Sequence, residues 1–147
     1  MEAFQTETFK IVLIGVMVIV FLRFLPRIKA KMLGIPFVSV EDVKNRMDAG
    51  EDILVIDVRT AGEFTGNLGH IDGALNLDAS ALSSKLADLG EQLDAYKEHP
   101  IVVTCRTDNR SPGAARILFH KGFKNLMILN GGMSRWNKNG YPVDLKG

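Results

Sequence analysis

Four short apolar runs, each followed by a turn or a helical pattern, constrain this chain more than any other feature. They are Ile53-Leu54-Val55-Ile56 ending at Asp57, Ala74-Leu75-Asn76, Ile101-Val102-Val103-Thr104 and Leu126-Met127-Ile128-Leu129. Continuous rather than alternating hydrophobicity marks strands covered on both faces, the situation of a parallel sheet. Helix signals lie between them. Ser39 with Asp42 opens a helix that should stop near Gly50, and Thr60 with Glu63 forms a capping-box pattern. Leu82, Leu86, Leu89 and Leu93 repeat at helical spacing, and Ser111 as N-cap, Pro112 and Gly122 frame a later helix. Strand–helix alternation of this kind predicts a layered α/β domain with a mostly parallel sheet. Ligands bind such sheets beyond the carboxyl ends of the strands, where Asp57 and Cys105 both fall.

The 147 residues suffice for one such domain and a sizeable core. They also include a segment of different character. Ile11 to Leu22 is uninterrupted apolar sequence, and with Phe9, Phe24 and Leu25 the stretch over residues 9–25 would make roughly 25 Å of helix. Its leader, MEAFQTETFK, is not basic, and no small-residue cleavage site follows, so the pattern favours a membrane anchor over a signal peptide or a core helix. Arg23, Arg27, Lys29 and Lys31 lie on one side and only Lys10 on the other, which places the rest of the chain in the cytoplasm, at the inner membrane if the source is bacterial. Pro26 should end or kink the helix. Residues 1–33 are therefore expected to be an anchor with a basic juxtamembrane stretch, and residues 34–147 the α/β domain.

Five of the 18 basic and two of the 17 acidic residues lie in the first 33, leaving the remainder mildly acidic. Such a domain has no electrostatic reason to bind nucleic acid. One cysteine excludes an internal disulfide and any CxxC motif, and the three dispersed histidines lack metal-ligand spacing. No cofactor is expected.

That single cysteine sits in VVTCRTDNRSPG, between a strand and a helix start. Unpaired N–H groups and the positive end of the helix dipole stabilise an anion there, and successive loop amides can curl into a nest. Arg106 and Arg110 add positive charge. A thiol so placed is expected to be a nucleophilic thiolate rather than a small core residue.

The loop CRTDNRS resembles the active-site loop of the rhodanese (sulfurtransferase) superfamily, and three further stretches resemble that family's signatures in the same order: VIDVRTAGEF, GHIDGALNL and LNGGMSRW. The resemblance runs from about Val38 to Val143. It implies a rhodanese-like parallel five-stranded sheet flanked by helices, here preceded by the hydrophobic helix. It also implies sulfane sulfur transfer. Cys105 would take sulfur from thiosulfate or another persulfide, carry it as a persulfide, and yield it to a thiophilic acceptor such as cyanide, a thiol or a protein. Arg106, Thr107, Asp108, Asn109, Arg110 and Ser111 would hold the donor and the persulfide. Four residues separate Cys105 from Arg110, whereas phosphatases of similar fold use five. This favours sulfur transfer over a phosphatase or arsenate reductase. A non-catalytic, membrane-tethered adaptor is the other alternative.

Asp57, Arg59 and Glu63 read as supporting residues: Asp57 either orients the loop or caps neighbouring N–H groups, and Arg59 and Glu63 could touch substrate, although a structural ion pair for Arg59 and a helix cap for Glu63 are favoured. His70 is expected to fix a turn and Trp136 to pack the last helix. Gly73, Gly131 and Gly132 suit positive φ or close backbone approach. Asp108 departs from the resemblance, because the family has glycine there. Aspartate tolerates the left-handed region, but its charge would oppose a thiolate and repel thiosulfate unless it paired with Arg106 or Arg110.

Overall fold

All four apolar runs form strands, and a short fifth precedes them in the chain. The structure, a computed structural model, describes residues 2–146. Helix α1 spans Glu2–Met32, β1 Phe37–Val38, α2 Val40–Asp48, β2 Leu54–Asp57, α3 Ala61–Phe64, β3 Leu75–Asn76, α4 Leu82–Leu89, β4 Ile101–Thr104, α5 Ser111–His120, β5 Leu126–Leu129 and α6 Gly132–Lys138. The strands form one sheet in the order β1-β5-β4-β2-β3, every pair parallel, with Val55 opposite Val102 and Val103 opposite Ile128.

Period-two alternation divides the strand side chains between two cores. Ile56, Ile101, Val103 and Ile128 face α4, α5 and the end of α1, together with Leu82, Leu86, Ala115 and Leu118. Val55, Val102, Met127 and Leu129 face α2 and α6, together with Val40, Val43, Met133 and Trp136. Each large aliphatic side chain buried in this way contributes about 1.5–3 kcal/mol.

Local signals explain most boundaries. Ser39 caps α2 by accepting from the Asp42 amide at 3.0 Å. Thr60 and Glu63 form the reciprocal capping box at α3. The leucine repeat from Leu82 to Leu93 is not one helix: α4 ends at Leu89, and Gly90, at φ +41°, leads into a 3-10 segment reaching Tyr96. β1 has only two residues and no apolar run to announce it.

Of the two outcomes expected at Pro26, an end or a kink, the helix bounds rule out the end. Pro26 does not end the helix, which continues for six residues beyond it. Proline removes one intrahelical donor, and the following turn is fastened to the domain. Ala30 is completely buried in the core, Leu33 packs against it, and the Arg27 guanidinium lies over the Phe37 ring, 4.7 Å from its centroid. From Phe9 to Phe24 the apolar side chains are exposed, and the helix is long and apolar enough to cross a membrane.

Candidate active site

Cys105 follows β4 directly at its carboxyl end, and its side chain is buried. The thiol lies 3.5 Å from Ser111 Oγ, which accepts its hydrogen bond. Ser111 was expected as the N-cap of α5. It is instead the first helical residue, with Arg110 at the cap position and no side-chain cap bond. Pro112 supplies the fixed φ of the first turn, and the Ser111 hydroxyl, not used for capping, turns inward to the sulfur.

Among the described residues, no backbone N–H from Arg106 to Arg110 meets an acceptor within the protein. Five consecutive free amides beside a thiol, at the start of a ten-residue helix, form a cradle for an anion. The first two carbonyls of the stretch are taken by α6. The Met133 amide donates to Cys105 O at 2.9 Å and the Ser134 amide to Arg106 O at 2.8 Å. The start of α6 thus fixes the first two carbonyls of the loop and leaves its amides unpaired within the protein. Gly132 permits this approach: at φ +56°, a Cβ there would stand 2.4 Å from Cys105 O.

The two arginines of the loop differ. Arg110 is held as a fork by Glu63, both contacts at 2.7 Å. Arg110 holds the Glu63 carboxyl down to about 2 against the opposing effect of burial, and the Thr60 amide assists. Arg106 is exposed and, among the described residues, unpaired. With Arg59, Glu63, Asn67 and Leu68 it lines a cleft of about 220 Å³ beside the loop. The side chains of Thr107 and Asn109 are exposed as well.

Asp57 and Arg59 lie behind this rim as a buried ion pair. Arg59 Nη2 approaches Asp57 Oδ2 at 2.6 Å, Nε contacts both carboxylate oxygens, and the remaining donors reach Glu63 O and Gly69 O. The Asp57 carboxylate accepts only from Arg59, through its side chain and its amide, and none of its side-chain hydrogen bonds reaches the cysteine loop. His70 fixes a turn as expected, with Nδ1 3.0 Å from Phe64 O, its ring stacked on Phe64 and its backbone bridged to Asp144. Trp136 is buried and donates to Pro142 O.

Asp108 pairs with neither Arg106 nor Arg110. Its Oδ1 accepts from Arg27 Nη1 of α1 at 3.0 Å and its Oδ2 from the Gly131 amide at 3.1 Å. It is also the sole non-glycine residue at positive φ among the described residues, and at +143° it lies beyond the left-handed helical well. A conformation of this kind costs about 1–3 kcal/mol and persists only where its surroundings enforce it. Sequence reasoning identified Asp108 as exceptional but missed Arg27, which no local pattern connects to a loop 81 positions away.

A parallel sheet with a lone thiol beside a run of free amides at its carboxyl edge defines a layered α/β domain that can receive an anion next to its cysteine. The relationships of the chain narrow this. Residues 39–139 match the rhodanese-like domain, and the chain belongs to that family. The thiosulfate sulfurtransferase GlpE of Shewanella oneidensis is 34% identical over 93 residues, covering 63% of this chain and 84% of the relative. Thiosulfate sulfurtransferase 16, chloroplastic, of Arabidopsis thaliana is 38% identical over 113 residues, covering 72% of this chain and 90% of the relative. A rhodanese-related protein of Thermoplasma volcanium superimposes with a TM-score of 0.62 at 28% identity, over 76% of this chain and 99% of that one. The five-stranded rhodanese-like fold is as the resemblance implied. These relatives support a sulfurtransferase-type function.

Proposed function

We propose that the protein is a membrane-anchored sulfurtransferase in which Cys105 carries the sulfur. The Cys105 thiolate attacks the outer sulfur of thiosulfate, the S–S bond breaks, and sulfite leaves with the electron pair. The resulting persulfide rests in the amide cradle of residues 106–110, and the Ser111 hydroxyl is within reach of the carrying sulfur. A thiophilic acceptor then takes the outer sulfur and the thiolate is regenerated, with no net oxidation of the protein. A persulfide donor would serve by the same displacement. Arg106, the unpaired cation of the loop, draws the anionic donor in, while Arg110, already forked by Glu63, shapes the rim. The observation that carries this reading is the run of free amides beside the single thiol.

The exposed apolar surface of α1 supports the anchor, and the basic residues following it support a cytoplasmic domain. Arg27 touches Asp108 and lies 3.5 Å from Asn130 Oδ1, just past the carboxyl ends of β4 and β5. α1 therefore leaves the domain on the same edge as the cysteine loop, and an embedded α1 holds that edge towards the bilayer.

Thiocyanate formation from thiosulfate, or from a glutathione persulfide donor, and cyanide tests the activity. Turnover that falls by about three orders of magnitude in Cys105→Ser is the expected result. Turnover that survives in that variant, or is absent with both donors, would leave the adaptor reading instead.

A further inference from the structure

We propose that Arg27 of α1 is a charge-balancing positioning residue of the Cys105 site, so that the helix read as an anchor also completes the site. Three observations meet at Asp108. Its carboxylate stands in the loop whose amides are free to hold an anion, its backbone adopts a φ that glycine reaches far more readily, and its two oxygens are bound by Arg27 and by the Gly131 amide. Among the described residues, Arg27 is the only cationic side chain on that carboxylate. Arg27 is itself held in place: its guanidinium stacks on Phe37 and reaches Asn130, and one turn later Ala30 is buried in the core.

A carboxylate on the same short loop repels an incoming anion and the thiolate alike. Arg27 cancels that charge from outside the loop, leaving Arg106 and the free amides to set the local potential. The pair also binds loop to helix, which fixes the strained backbone at Asp108. Without Arg27, the loop that meets a dianionic donor would carry one uncompensated negative charge.

The cysteine is unique, so its alkylation reads the potential at the site directly. Iodoacetate is anionic and iodoacetamide is neutral, and the ratio of their rates on Cys105 is measured on the full chain in a nonionic detergent. Arg27→Met should lower that ratio about threefold at low salt and less at high salt, as expected for one screened charge at this range. Arg27→Lys should stay near wild type. Arg27→Met combined with Asp108→Asn should recover the ratio, because Asn removes the carboxylate's charge at the same size and keeps an oxygen that can accept from Gly131. In thiosulfate turnover, the KM should rise about threefold in Arg27→Met while kcat changes less.

The thiosulfate arm rests on the proposed function, whereas the alkylation arm does not. No turnover with thiosulfate or with a persulfide donor, beside a ratio that moves and recovers as described, would overturn the sulfurtransferase reading and support the role of Arg27. A ratio unchanged in Arg27→Met, no recovery in the double variant, or a Cys105 that neither reagent modifies would overturn the role of Arg27.

Discussion

Asp57 and Arg59 are both almost wholly buried, and each satisfies the other's charge. A buried pair of this kind contributes little net stability over an apolar replacement, yet removing one partner strands the other. Arg59→Met should therefore destabilise the domain by about 3–5 kcal/mol, measured by urea unfolding, well beyond the loss from a surface arginine. Glu63 gives a prediction in pH. Its carboxyl lies at about 2 in the folded chain against an ordinary 4.5, chiefly through Arg110. A folded value below the unfolded one contributes stability in full above 4.5 and loses it as the pH falls towards 2. The thermal stability gap between wild type and Glu63→Gln should be widest near neutral pH and shrink through that window. The exposure of the pair keeps this gap at about 1 kcal/mol.

At the scale of elements, strand and helix starts were legible where one local signal sufficed. Ile101–Thr104 and Leu126–Leu129 are uninterrupted β-branched and aliphatic runs, and Ser39 and Thr60 cap as their spacing implies. Legibility failed where distant contacts decided. β1 exists because Phe37 and Val38 extend the sheet beside β5, and α1 persists past Pro26 because Arg27 and Ala30 are held by the domain. Ser111 has the composition of a cap but serves the cysteine, which only the path of the loop reveals. The glycine pair at the start of α6 was readable as close backbone approach, but not its partner. Gly131 sits at φ +80° with its amide on Asp108, and Gly132 leaves room for Cys105 O. Gly132→Ala should consequently push the cysteine loop out of place. The expected outcome is a loss of about 1–3 kcal/mol in stability together with at least tenfold lower sulfur transfer, since both strain and overlap must be relieved by loop movement.

Across the whole molecule, the helix that looks like a detachable anchor shares its last turns with the domain. The break suggested by composition falls after residue 33, whereas packing begins near Arg27 and includes the buried Ala30. Two truncations separate these views. Removing residues 1–24 should abolish flotation with lipid vesicles but leave the melting temperature nearly unchanged. Removing residues 1–33 should abolish flotation and also cost about 1–3 kcal/mol, because it opens the core beside α5 and releases Asp108. A full chain that remains with the unbound fraction in flotation would contradict the anchor.

The central claim is that Cys105 holds a transferable sulfur in a ring of main-chain donors, and intact-mass measurement after exposure to a sulfane donor tests it most directly. The account predicts the added mass of one sulfur atom on the wild-type chain, lost on adding cyanide and never acquired by Cys105→Ser. A wild-type chain that gains no sulfur from thiosulfate or from a low-molecular-weight persulfide, while its Cys105 remains open to alkylation, would contradict it.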